Sequence, residues 1–247
     1  MSEAPGPRAV RPLSGWSWLG LAGLVGLALV LAWRYWGQAT DDGFITYCYA
    51  RSWAETGALS FNDTVTYGIT APGYALLLGG LGRLSSGSAM DIPGWGTLLS
   101  LLSLALIWTV LWRRCRRSAV PAVRLLPALA GPVLLIMPLM IGLWGSENMV
   151  AIALLVGAGS CLLIAERPGA GGLLACAAIV VRMDAALGAL ILGLVAWARW
   201  RKVPWRYGLT GVLPLIPWCL FLFWTFGDVF PSTLEAKRLQ LKPGMGS

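Results

Sequence analysis

The chain has 247 residues, 57% of them hydrophobic and only 12% charged, with a mean hydropathy of +0.70. A soluble domain carries about a quarter charged residues, so this composition speaks against one. The sequence contains no histidine, which excludes His-based acid–base catalysis, Ser/Cys–His triads and His-ligated metals.

Several apolar runs of about 14–20 residues define an all-α, polytopic transmembrane helical bundle. Fourteen Trp fit interfacial belts better than a soluble core. The net charge of +8 does not point to nucleic acid. The basic residues sit in short clusters between apolar runs, the pattern of topology signals. The five Cys (48, 115, 161, 176 and 219) are scattered without a CxxC pair and read as small apolar residues. Any catalysis has to rest on carboxylates, Arg, Lys and Tyr.

In chain order, residues 1–15 are Pro-rich and carry Arg8 and Arg11, as expected of a disordered cytoplasmic tail. Trp16–Trp36 is the first span, about 21 residues or roughly 30 Å as a helix. Its length, its Trp-Arg-Tyr-Trp end and the missing small-residue cleavage site favour an anchor over a cleaved signal peptide. Residues 37–93 form the first outer loop, which opens on two adjacent carboxylates, Asp41 and Asp42. Thr46–Trp53 has the spacing of a short amphipathic helix that Gly57 ends, and Phe61-Asn62-Asp63 reads as a turn. Pro72 opens an apolar piece, Gly73–Leu84, too short to span. It is expected to lie in the interface; the rival reading makes it a short second span.

Charge decides between those readings. Thr97–Trp112 is a span that ends in Arg113, Arg114, Arg116 and Arg117, and a spanning Gly73–Leu84 would put those four Arg outside, against the positive-inside rule. The later spans then alternate: Val120–Leu143 outward, Asn148–Ala165 inward, Ala170–Val181 outward, Ala185–Ala198 inward and Tyr207–Phe226 outward. Residues 94–226 thus hold spans two to seven, and residues 227–247 form an outer C-terminal segment. On this map 12 Lys/Arg and two acids lie on the cytoplasmic side, against seven Lys/Arg and nine acids outside. Asp41 and Asp42 are therefore expected on the outer face. Ala170–Val181 and Ala185–Ala198 each cover only about 20 Å of a hydrocarbon layer of roughly 30 Å. Their apex, Arg182-Met183-Asp184, is expected below the outer surface, where ionisable groups line a cavity and pair with one another. A structural Arg–Asp pair holding the hairpin is the plainer alternative.

The segments DDGFITYCYARSWAETGALSFN, TAPGYALLL, GSEN, RMDA and FPSTLEAK follow one order along the chain. Together they resemble bacterial GT-C fold glycosyltransferases that use polyprenyl-phosphate-linked sugars, most nearly the arabinofuranosyl- and mannosyltransferase-like members with their DDAFISFRYARNLA-type first outer loop. The likeness runs from about residue 35 to 240. Cys48 stands where those proteins have Arg, Ser52 where they often have Asn, and Met183-Asp184 where Pro-Glu is commoner. Relatives continue for several further spans, so the chain is expected to be truncated or a fragment.

The resemblance implies an enzyme of the bacterial inner membrane, active on its outer face. It would transfer a sugar from a polyprenyl-phosphate donor to a glycan or lipid-linked acceptor hydroxyl of the cell envelope, with inversion. Such a reaction needs a base for the acceptor and a stabiliser for the phosphate leaving group. Asp41 and Asp42 are the candidate catalytic residues, with Asp41 favoured as base, since adjacent like charges raise one pKa of a pair. The other Asp would orient the acceptor or bind a divalent cation. Asp41, Asp42 and Glu147 offer hard oxygen ligands suited to Mg, Mn or Ca; no cofactor is otherwise implied. Asp42 as a helix N-cap is the plainer role.

Glu147, Arg182, Asp184, Lys237 and Arg238 are the candidate substrate-binding residues, with Arg182 placed for a lipid phosphate. Glu147 otherwise caps the following helix through its dipole, and Lys237 and Arg238 are otherwise a solvated tail. Arg51 is expected to pair with Glu55 at i,i+4 rather than to act in catalysis. Tyr47, Tyr49, Tyr67 and Tyr74 are expected in an aromatic belt, with sugar stacking the sharper alternative. Membrane lipids are the remaining partner. Two rival functions stay open: a polyprenyl-lipid transporter or flippase whose path Arg182 and Asp184 line, and a non-catalytic membrane protein left by truncation.

Overall fold

The computed structural model describes residues 25–26, 28–31, 33–34, 41–62, 64–85, 92–116, 118, 120 and 144–231. For Asp41 and Asp42 the description extends to the backbone only. Val120–Leu143 as a span, Asp63 of the expected turn, and Lys237 and Arg238 lie outside it. The described part of the first span, within residues 25–34, is helical. The remaining helices are α1 (Asp41–Thr56), α2 (Pro72–Leu84), α3 (Ile92–Arg116), α4 (Glu147–Gly159) continued by a π turn (Ser160–Ile164), α5 (Pro168–Val181), α6 (Ala185–Trp200), α7 (Trp205–Val212) and α8 (Leu215–Phe226). No strand occurs among the described residues; Phe61 and Thr64 form one isolated bridge.

Helix α1 ends as its sequence predicts. Gly57 takes φ +80 and its N–H donates to the Trp53 carbonyl at 3.0 Å, a left-handed stop that glycine adopts without steric cost. Arg83 donates to the Ala54 carbonyl from outside the helix and lies over the Trp53 ring, 4.5 Å from its centroid. Arg51 and Glu55 pair on the exposed face at 2.9 Å, as expected. The described helix includes both Asp41 and Asp42. After Gly57 the chain makes the tight turn expected around Asn62, which takes φ 49. Tyr49 anchors the extended stretch that follows. Its hydroxyl donates to the Thr66 carbonyl at 2.7 Å and accepts from the Gly68 N–H at 3.2 Å.

Helix α2 is packed against its neighbours along one face. Pro72 sits at its first turn, where the missing N–H costs nothing. Tyr74, Ala75 and Leu78 are completely buried. The reason is glycine. A Cβ at Gly79 would lie 2.5 Å from the Ala50 carbonyl oxygen, and one at Gly73 would overlap the Val180 carbonyl. The backbone of α2 therefore presses directly on α1 and on the end of α5. Helix α2 thus contributes one face to the protein core, while Leu77 and Leu84 remain exposed on the other.

Three helices are long and apolar enough to cross a membrane: Ile92–Arg116, Glu147–Ile164 and Trp205–Phe226. Pro168–Val181 and Ala185–Trp200 are shorter apolar helices. Small residues face inward, as with Ala151, Ala153, Gly157 and Ala158 of α4. Large apolar side chains face outward, as with Leu187, Leu190 and Ile191 of α6 and Phe223 and Trp224 of α8. That inversion suits an apolar surrounding, where the drive to bury large side chains is absent and close helix packing favours small ones. The last of the three long helices is broken at Leu213-Pro214 into α7 and α8, because proline removes a ladder donor and clashes with the preceding turn.

The contacts sort the bundle into two ends. Glu147 at the start of α4 touches Arg182 at the end of α5, and Tyr67 reaches both Met183 and the Val229 carbonyl beyond α8. The turns at 144–147, 182–184 and 227–231 therefore gather at one end with α1 and α2. Helix continuity sends Arg113, Arg114 and Arg116, Arg167, and the Arg199–Arg206 stretch to the other end.

Candidate functional site

The site grows from the turn before α4. Gly145 takes φ +75, and its peptide groups are held from three helices. Its carbonyl accepts from the Tyr47 hydroxyl of α1 and the Tyr74 hydroxyl of α2, each at 2.9 Å. Its N–H donates to Ser100 Oγ of α3, also at 2.9 Å. Gly96 leaves the room for this: a Cβ there would lie 2.5 Å from the Tyr47 hydroxyl oxygen. Trp144 is buried in the same turn, and its Nε1 has no hydrogen-bond partner among the described residues.

Glu147 follows as the first residue of α4 and is buried. A carboxylate there is favoured by the positive end of the helix dipole, but burial of a charge requires a counter-charge. Arg182 supplies it: Nη1 lies 2.7 Å from Glu147 Oε1. Arg182 leaves helical geometry at the end of α5, with φ −152 and ψ 119, and this extended step swings its side chain across to α4. Its Nε donates to both carboxylate oxygens of Asp184, at 2.7 and 2.9 Å. The side chains of Glu147, Arg182 and Asp184 are 3%, 26% and 67% exposed. One guanidinium is thus shared by a buried carboxylate and an open one.

Electrostatics tie the clamp to this trio. Burial, and then the charge of Glu147, push the Tyr47 phenol up to about 12. Tyr74 is raised well above its usual value by burial, with smaller contributions from Tyr47 and Glu147. Both therefore stand as neutral donors to Gly145 over any physiological pH. Tyr67 is raised to about 12, mainly by burial and then by Asp228; its ring stacks on Phe226, with centroids 4.4 Å apart.

Of the residues expected from sequence, Glu147, Arg182 and Asp184 come together. The plainer alternative for the hairpin, an Arg–Asp pair, is present but incomplete, because Glu147 is the partner buried with it. The tyrosines depart from expectation. Tyr47, Tyr49, Tyr67 and Tyr74 are all buried, with hydroxyls bonded to backbone, so they are neither a belt nor a stacking surface but the frame that fixes the turns. Helix α1 carries Asp41-Asp42 in its first turn, with Tyr47 one to two turns further on pinned beside Glu147. The side chains of Asp41 and Asp42, two of the three expected cation ligands, fall outside the described residues; the third, Glu147, is paired with Arg182. Among the described residues no three His, Cys, Asp or Glu gather as metal ligands would. The double clamp on Gly145 was not foreseen; its only sequence trace is that Tyr47, Tyr74 and Gly145 each fall inside a recognised motif. No family model matches the chain, and neither a curated protein nor a solved structure is significantly similar to it.

Proposed function

We propose that the chain is an integral-membrane glycosyltransferase of the GT-C type. It transfers a sugar from a polyprenyl-phosphate donor to a cell-envelope hydroxyl on the outer face of a bacterial inner membrane. The observation that carries the reading is Arg182 held by the buried Glu147, beside a turn pinned by Tyr47 of the helix that opens with Asp41-Asp42. In this reading the cation for a phosphate and the carboxylate pair for a hydroxyl share one end of the bundle. The segregation of Arg113, Arg114, Arg116, Arg199 and Arg201 to the opposite end supports an orientation with that end cytoplasmic. In this reading the three long apolar helices and the two shorter ones are five of the seven spans.

In this reading the reaction is a single displacement. The acceptor oxygen attacks the anomeric carbon on the face opposite the phosphate, the carbon–oxygen bond to the phosphate breaks, and the configuration inverts. Asp41 takes the acceptor proton and Asp42 orients the hydroxyl. Arg182 stabilises the charge that develops on the leaving phosphate.

The test is to replace Asp41 and Asp42 with Asn, one at a time. At least one substitution is expected to reduce transfer by about a hundredfold or more, the scale of general base catalysis. Unimpaired transfer by both variants removes the base assignment.

A further inference from the structure

The two carboxylates on Arg182 are not equivalent. Glu147 meets Nη1 in a buried contact, whereas Asp184 meets Nε alone, with both of its oxygens on that one nitrogen. Nη2 makes no hydrogen bond among the described residues. The guanidinium fork that matches a phosphate or carboxylate is the parallel pair of N–H groups on Nε and Nη2. Asp184 occupies this edge but uses half of it. As the residue at the N-cap of α6 it makes no capping hydrogen bond either, so among the described residues its carboxylate is committed to Arg182 alone.

Burial separates the pair further. Withdrawing Arg182 from Glu147 would leave a carboxylate that is 3% exposed without its cation, a costly step. Withdrawing Asp184, 67% exposed, hands its carboxylate to water at little cost. An arriving anion would therefore displace Asp184 and leave Glu147 in place to hold the guanidinium. Exposed Leu187 and Ile191 follow Asp184 at i+3 and i+7, on one face of α6. A phosphate carried on an apolar chain would find a charge and apolar cover in line.

We propose that Asp184 is a displaceable occupant of an oxyanion site on Arg182, and that the phosphate of a monoester or diester takes its place. The inference rests on the reading of Arg182 as the phosphate-binding residue and adds that Asp184 competes with the ligand rather than contacting it.

The test measures binding of two probes, inorganic phosphate and a short-chain isoprenyl phosphate, to the full chain in nanodiscs of zwitterionic lipid. The wild type is compared with Asp184→Asn, Asp184→Ala and Arg182→Gln. Both Asp184 variants are expected to bind isoprenyl phosphate about two- to fivefold more tightly, the range an exposed ion pair is worth, while Arg182→Gln loses the binding. Equal or weaker binding by the Asp184 variants, with binding still dependent on Arg182, overturns the displacement and leaves the reading of Arg182 standing. Tightening for inorganic phosphate alone upholds displacement and removes the lipid phosphate as ligand. No Arg182-dependent binding of either probe, in the wild type or the Asp184 variants, overturns both.

Discussion

Glu147 Oε1 lies 2.7 Å from Arg182 Nη1, joining the first residue of α4 to the residue that closes α5 across 35 positions of sequence. Removing one partner of a buried ion pair costs about 3–5 kcal/mol, whereas replacing both with apolar residues is often neutral. Arg182→Met is expected to lower stability by about 3 kcal/mol, read as a fall in the thermal midpoint in detergent. Glu147→Met/Arg182→Met should recover most of that loss. A double variant no better than Arg182→Met would show that the pair contributes through something other than charge compensation.

The shared acceptor at Gly145 makes a second prediction about additivity. With either Tyr47→Phe or Tyr74→Phe, the Gly145 carbonyl keeps one hydroxyl donor, so each variant should cost about 1 kcal/mol. The double variant removes both donors from a buried carbonyl. Its cost should exceed the sum of the singles by about 1 kcal/mol, as expected for residues in one hydrogen-bond network. Denaturation of the four proteins under one condition measures the coupling; strict additivity would mean that the two hydroxyls act independently.

Gly96 tests the same clamp from the third helix. Gly96→Ala sets a methyl 2.5 Å from the Tyr47 hydroxyl oxygen and 3.0 Å from the Gly145 carbonyl oxygen. Overpacking of this kind costs about 1–3 kcal/mol. In a Tyr47→Phe background the nearer clash is gone, so the same substitution should cost less. Equal costs in the two backgrounds would place the strain elsewhere.

The pH dependence follows from the tyrosines. Tyr47 has a folded-state pKa of about 12 against an ordinary value of 10.0. The folded state therefore holds this proton more tightly than the unfolded state. The corresponding stability is fully present below pH 10 and is lost as pH rises through about 12. Tyr47→Phe should flatten the decline in stability between these limits relative to the wild type. Tyrosinate absorbance should show Tyr47 and Tyr67 ionising late, with Tyr67 also near 12. Ordinary titration of Tyr47 and Tyr67 near pH 10 would contradict the burial described for them.

Much of this arrangement was legible in the sequence, for identifiable reasons. Charges are scarce, so Arg182 and Asp184 at the apex of a short hairpin are expected to pair, and they do, with Glu147 as a further partner. Gly57 announced the end of α1, and Arg51 and Glu55 stood at helical spacing. The packing of α2 is less legible, because an apolar stretch of about a dozen residues looks the same whether lipid or protein covers it. Only the approach of neighbouring backbones at Gly73 and Gly79 tells them apart. The tyrosines were misread for a similar reason, since a belt and a hydrogen-bonded core draw on the same residue. The last span was read as continuous, whereas Pro214 divides it. The clamp on Gly145 joins residues 71 and 98 positions apart, and no local pattern encodes such a meeting.

The proposed glycosyl transfer from a lipid phosphate makes Arg182 the group that receives the leaving charge. Its most direct test incubates the full chain in nanodiscs with a panel of polyprenyl-phosphate sugars and a cell-envelope glycan acceptor, and follows released polyprenyl phosphate by mass spectrometry. Release is expected from at least one donor only when acceptor is present, with an inverted linkage in the product and loss of turnover with Arg182→Gln. Lipid movement across the bilayer without release, or release that Arg182→Gln leaves unchanged, would contradict it.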